Sequence, residues 1–83
     1  MHAVWTRSAW KELQELPKTR RTAVIEAVSR FAADPFGQHP NAKPLAGEKN
    51  AVRLRIGDYR VILHRGSDTI EVRAVAHRRE VYR

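Results

Sequence analysis

The spacing of apolar positions changes several times along this chain, and each change marks an element. Residues 2–5, His-Ala-Val-Trp, are β-favouring, with Ala3 and Trp5 on one side, and predict a short first strand. Ala9, Trp10, Leu13 and Leu16 then recur at helical spacing, which predicts an amphipathic helix over 7–16 with Thr6 as its N-cap and Pro17 as its stop. Val24, Ala27, Val28 and Phe31, flanked by Ile25 and Ala32, repeat the pattern over 18–33. Asp34-Pro35 closes this second helix, because a residue before proline avoids the α region. So short a link makes the two a helical hairpin.

Period and pattern lapse over 36–50, where Gly37, Pro40, Pro44, Gly47, Asn41 and Asn50 predict a loop with Leu45 docked on the core. Alternation returns at 52–56, where Val52, Leu54 and Ile56 interleave with Arg53 and Arg55. Gly57-Asp58 suits a type II′ turn, which sets Ile56 opposite Tyr59 and Arg55 opposite Arg60. A second turn at Gly66-Ser67 is expected to pair Arg65 with Asp68 and His64 with Thr69. That register buries Ile70, Val72, Ala74 and Ala76, sets Arg73 opposite Arg60, and puts Glu71, Val75 and His77 on the outer face with the arginines. The predicted fold class is α+β, order βααβββ, with the helical hairpin on one face of a mostly antiparallel four-stranded sheet, as a single domain over 1–83.

Charge changes the picture. Like charges directly opposite each other destabilise a sheet, so Arg53, Arg55 and Arg60 on one face point to a bound polyanion rather than to folding. The whole chain agrees: 16 Lys+Arg against 9 Asp+Glu give a net charge of +7, and a pI near 10.8 lies in nucleic-acid-binding territory. Twelve of the cations are arginine, whose planar fork grips phosphate through paired hydrogen bonds and stacks on bases.

Other chemistries find no support. No apolar run is long enough for a membrane span, and residues 1–6 lack the layout of a signal peptide. With no cysteine either, a cytoplasmic location is the expectation. The four histidines form no metal-ligand pattern, no glycine-rich phosphate loop is present, and Ser8, Ser29 and Ser67 fall in cap, helix and turn contexts. No cofactor is therefore expected. Trp5, Trp10, Phe31 and Tyr59 lie on core stripes and are read as packing.

What remains is an arginine-rich sheet face bordered by His77, Arg78 and Tyr82, an inventory suited to RNA cleavage by the RNA's own 2′-hydroxyl. Fixed cations would stabilise the charge that accumulates on the phosphorane. His77 is the expected proton donor or acceptor, since arginine stays protonated. Tyr82 offers a face on which an unstacked base can lie.

Arg-Leu-Arg-Ile-Gly-Asp-Tyr-Arg-Val-Ile at 53–62, followed by Val-Ala-His-Arg-Arg-Glu-Val-Tyr-Arg at 75–83, resembles the RelE branch of the RelE/ParE toxin superfamily. The resemblance implies a toxin that cleaves mRNA in the ribosomal A site and forms a hetero-oligomer with a cognate antitoxin. It implies that Arg53 and Arg55 stand where the family's basic strand residues activate the 2′-hydroxyl and hold the backbone, that Arg60 stabilises the phosphorane, that Arg78 clamps phosphate or serves as the leaving-group acid, and that Tyr82 stacks on a base. A histidine near the C-terminus serves as acid in some relatives, which keeps His77 as a candidate. Arginine stands at 53 and 55 where the family usually includes lysine, which favours electrostatics over a base there. Two other readings use the same residues: a ParE-like poison of DNA gyrase without ribonuclease activity, and a basic RNA-binding domain without catalysis.

Overall fold

The computed structural model describes residues 1–81, with the backbone alone for Glu80 and Val81. Its elements are β1 (His2–Trp5), α1 (Arg7–Gln14), α2 (Lys18–Ala33), β2 (Ala42–Pro44), β3 (Ala51–Ile56), β4 (Tyr59–Arg65), β5 (Thr69–His77) and α3 (Arg78–Val81). The strands form one mixed sheet in the order β1-β5-β4-β3-β2, parallel between β1 and β5 and antiparallel elsewhere. The α+β class and the helical hairpin agree with the sequence reading. The strand count does not: the sheet has five strands, because Ala42–Pro44 pairs with Val52–Leu54 inside the stretch expected to be loop. A three-residue strand that ends in proline carries almost no pattern of its own and is tolerated only at a sheet edge.

Each helix starts and stops as its chemistry directs. The Thr6 hydroxyl accepts the Ala9 N–H at 3.1 Å, the N-cap that a helix needs for its unpaired first amides. Asp34 ends α2 at φ −146° and ψ 70°, outside the α region that a residue before proline avoids. Ala9 and Leu13 from α1, with Val24, Ala27, Val28, Phe31 and Ala32 from α2, pack on Val52, Leu54, Val61, Leu63, Ile70, Val72 and Val75 of the sheet. Trp10 is not in this core. It is 51% exposed, because Ala9 and Leu13 already present the buried edge of a two-turn helix and the next residue is rotated off it. The Trp10 ring instead meets Trp5 edge-on, with centroids 6.0 Å apart. Leu45 likewise stays half-buried outside the core cluster, tied down through its N–H to the Ala51 carbonyl at 3.0 Å.

The β3–β4 register matches the expected one, including Arg55 opposite Arg60. Gly57 sits at φ +59° while Asp58 keeps a negative φ, the signature of a type II′ turn. The β4–β5 register differs in two ways. Arg65 pairs with Ile70 rather than Asp68, since Gly66 donates its N–H to the Thr69 carbonyl at 2.8 Å and the loop becomes Ser67-Asp68. A Cβ on Gly66 would lie 3.1 Å from the Thr69 hydroxyl, so this crossing favours glycine. A two-residue slip leaves the faces unchanged, and Ile70 and Val72 are buried as expected. The second difference is a β-bulge opposite Ile62/Leu63, where Leu63 pairs with Val72 and Ile62 with Ala74. Arg73 is the extra residue, paired with Glu71 and not placed opposite Arg60. Beyond it every side chain changes face: Val75 is buried, Arg60 faces Ala76, and His77 faces Tyr59 on the helix side.

Phe31, 1% exposed and among the largest buried side chains, is expected to lose about 3–5 kcal/mol of stability on truncation to alanine. Trp10→Ala removes an edge contact worth about 0.5–1.5 kcal/mol. Urea unfolding of both variants measures the difference.

Candidate functional site

The arginine face is built from the hairpin outward. Inward positions of β3 and β4 are filled by Val52, Leu54, Val61 and Leu63, so Arg53, Arg55 and Arg60 project from the other side. There they line a groove of about 320 Å³ together with Pro40, Asn41 and Lys43. Asn41 holds the groove at its outer edge: its side-chain amide donates to the Arg55 carbonyl at 3.2 Å, and its own carbonyl accepts the Arg55 N–H at 2.9 Å. Arg55 is thus fixed through its backbone while its side chain stays exposed.

Arg60 is fixed through its side chain. Its Nη1 donates to the carbonyls of Gly57 at 2.9 Å and Tyr59 at 3.0 Å, folding the guanidinium back over the turn. Desolvation, then the charges of Arg55, Arg53 and Arg78, lower the Arg60 pKa below the usual arginine value, and among the described residues Asp58 opposes them. The sign follows directly. A cation whose pKa falls on folding is less comfortable charged in the native state, so these neighbours oppose folding throughout the range where arginine is ionised.

Arg78 belongs to the same cluster by its charge on Arg60 and by its backbone, whose N–H donates to the Asp58 carbonyl at 2.7 Å. Four of the residues singled out in the sequence, Arg53, Arg55, Arg60 and Arg78, therefore come together. His77 does not join them: it is carried by the bulge to the opposite face, where its ring meets Tyr59 edge-on with centroids 5.8 Å apart. Tyr82, the expected stacking residue, lies outside the described residues.

Asn41, Lys43 and Pro40 were not foreseen as groove residues. Their only sequence signal is the pair of prolines that limits β2 to an edge. A larger cavity of about 550 Å³ lies on the helix side of that edge, between Phe31, His39, Pro44, Val52 and Arg65. Size does not make it the reactive site. Its arginine is committed to packing: Arg65 Nε donates to the Pro35 carbonyl at 2.8 Å, and the guanidinium lies 5.4 Å from the Phe31 centroid and 4.9 Å from that of Phe36. Among the described residues no group of three or more His, Cys, Asp or Glu could hold a metal ion, and no helix is long and apolar enough to cross a membrane.

Arg55→Gln tests whether the face is held against folding. Removing one of two opposed cations is expected to stabilise the protein by about 0.2–1 kcal/mol at low salt, with the gain shrinking as salt is added. The same change weakens binding of a single-stranded polyanion, read by fluorescence anisotropy.

The fold and sequence have counterparts. A family model described as the ParE toxin of type II toxin–antitoxin systems, parDE, matches residues 3–82. No curated protein sequence matches the chain. Among solved structures, the RelE-RelB complex from Pyrococcus horikoshii OT3 contains a chain that superposes with a TM-score of 0.80 at 24% identity, covering 95% of this chain and 96% of that one. The RelBE2 toxin–antitoxin complex of Mycobacterium tuberculosis gives 0.76 at 25% identity, over 92% and 95%. A doubly substituted mutant of E. coli toxin RelE in the free state gives 0.80 at 20% identity, over 98% and 88%.

Proposed function

Because the chain belongs to the ParE toxin family of type II toxin–antitoxin systems, we propose that residues 1–83 form a toxin domain held inactive by a cognate antitoxin and acting as a metal-independent endoribonuclease on ribosome-bound mRNA. The partner is inferred from the relatives, whose solved complexes pair toxin with antitoxin. The single observation that supports the nuclease reading is the clustering of Arg53, Arg55 and Arg60 along one groove, with Arg78 near enough for its charge to act on Arg60.

In the reaction, the 2′-oxygen of one nucleotide attacks the adjacent phosphorus and the bond to the 5′-oxygen breaks, leaving a 2′,3′-cyclic phosphate and a free 5′-hydroxyl. Negative charge gathers on the non-bridging oxygens as the phosphorane forms. Arg60 suits that charge, because its fork is pinned at Nη1 and its other donors make no bond to the described residues. Arg53 and Arg55, one position either side of Leu54 on β3, grip the flanking backbone. Arg78 clamps the phosphate from the end of β5, and Tyr82 supplies the stacking face. Arginine stays charged at ordinary pH, so the groove aligns the strand and stabilises charge, and proton transfer falls to groups outside it. A ribosome that presents the strand in line would supply the remaining alignment.

A bacterial translation extract containing ribosomes, with mRNA ends mapped after addition of the protein, tests this. Wild type is expected to cut within the translated message, and Arg60→Ala to cut roughly 10²–10³-fold more slowly, the loss typical of one preorganised donor to a developing oxyanion. Intact message with wild type sinks the nuclease reading. If SOS induction accompanies that intact message in cells, the gyrase-directed reading takes its place.

A further inference from the structure

His77 stands behind the arginines rather than among them, and its contacts give it a different task. Its ring lies on the helix side of the sheet, in a cleft shared with Glu12, Glu15, Leu16, Tyr59 and Val75. From there it cannot reach a phosphate held in the groove on the other face. Its Nδ1, however, accepts the N–H of Arg79 at 3.3 Å. The residue between them, Arg78, donates its own N–H to the carbonyl of Asp58 at 2.7 Å. The chain therefore leaves β5 with two successive amides fixed, one to the turn that also anchors Arg60 and the next to the His77 ring.

We infer that His77 is a positioning residue: by accepting the Arg79 amide at Nδ1, its neutral imidazole holds the start of α3 so that Arg78 stays beside Arg60. The chemistry of the ring makes this contact conditional. Nδ1 accepts only while it keeps its lone pair, which requires a neutral ring with the proton on Nε2. Protonation turns Nδ1 into a donor facing another donor, and adds a cation next to Arg78 and Arg79. Among the described residues, the charged and titratable groups around the ring are Glu12 and Glu15 from α1, Tyr59 from β4, and Arg78 and Arg79 in its own continuation. Histidine is the side chain whose charge changes near neutral pH, so the placement of Arg78 becomes sensitive to pH although every residue of the groove itself is not.

The consequence for activity rests on the nuclease reading; the contact does not, and the test separates the two. Amide and ring resonances of the whole chain are followed by NMR across pH 5–8 in wild type, His77→Asn and His77→Gln. Asparagine puts an acceptor oxygen where Nδ1 stands and does not titrate, whereas glutamine carries its amide out to the place of Nε2. The Arg79 amide is expected to shift with the ring titration in wild type and to stay flat in His77→Asn. In the ribosome-containing extract, wild-type cleavage divided by that of His77→Asn at the same pH is expected to fall about 3- to 10-fold as the ring protonates, the range that one hydrogen bond supplies. His77→Gln is expected to be slow at every pH. An Arg79 amide that ignores the ring, or an asparagine variant no better than the glutamine one, overturns the inference. If wild type cuts no message, the nuclease reading fails while the amide readout still decides the contact.

Discussion

The two-residue turn at Gly57-Asp58 is the constraint on which the site depends. With Gly57 at φ +59° and Asp58 at negative φ, the turn carries the twist of its strands and admits one register, in which Arg55 must face Arg60. The turn then holds what it has brought together. The carbonyls of Gly57 and Tyr59 take Nη1 of Arg60, and the carbonyl of Asp58 takes the amide of Arg78. Among the described residues, the negative charge that acts on Arg60 is that of Asp58. An arginine cluster built for stability would have carboxylates threaded through it. Here backbone carbonyls orient Arg60 and Arg78 and leave their charge in place, which suits a polyanion site.

The bulge at Arg73 divides the sheet in a second way. Up to Val72, β5 follows the alternation set by the β4–β5 turn. After Arg73 it follows the opposite one, so Val75 enters the core and Ala74 and Ala76 face the side that bears Arg60. Two small side chains next to Arg60 keep that end of the face open, where a valine and a histidine would have crowded it. The same change of face brings His77 against Tyr59 and within reach of α1. One inserted residue thus opens the cationic face and closes the core beneath it, and its backbone is held from outside the sheet: Thr6 donates its N–H to the Val72 carbonyl at 3.0 Å and its hydroxyl to the Arg73 carbonyl at 3.5 Å, and the Glu12 carboxylate accepts the Val75 N–H at 3.0 Å, so the exposed Arg73–Glu71 pair adds little.

Much of this was legible in the chain because the strongest signals are local. Thr6, Pro17 and Asp34-Pro35 fix the helix ends by capping and steric rules that tertiary structure rarely overrides, and the alternation from Val52 to Ile56 with its glycine-first turn gives the hairpin and its arginine face outright. The failures share one cause: they depend on pairing at a distance. β2 exists because Asn41 and β3 hold it, and its three residues could not announce it. The β5 slip follows from a close approach between Gly66 and Thr69. The bulge had one available sign, the three-residue spacing of Val72 and Val75, which both want burial and cannot share a face in regular alternation. Missing it carried His77 to the wrong side. Trp10 failed for a simpler reason, since a two-turn helix has too few positions to bury all four apolar residues of its stripe.

A groove whose charge is mostly arginine also limits the chemistry the fold can perform by itself. Guanidinium groups keep their charge across the ordinary pH range, so Arg53, Arg55, Arg60 and Arg78 can bind, align and stabilise, but they form a poor proton relay. Relatives of one fold can therefore part company in function without changing scaffold: the same groove, given a strand held in line and a path for two protons, becomes a nuclease, and without them it is a docking face for an acidic surface. What distinguishes this chain within that choice is where its positive charge lies. It is gathered on β3 and β4, where Arg53, Arg55 and Arg60 line a groove of about 320 Å³ with Pro40, Asn41 and Lys43. Folding Arg60 back onto its own turn is what the nuclease reading asks of it, because a fork held still before a phosphate arrives loses no further freedom when charge develops on it.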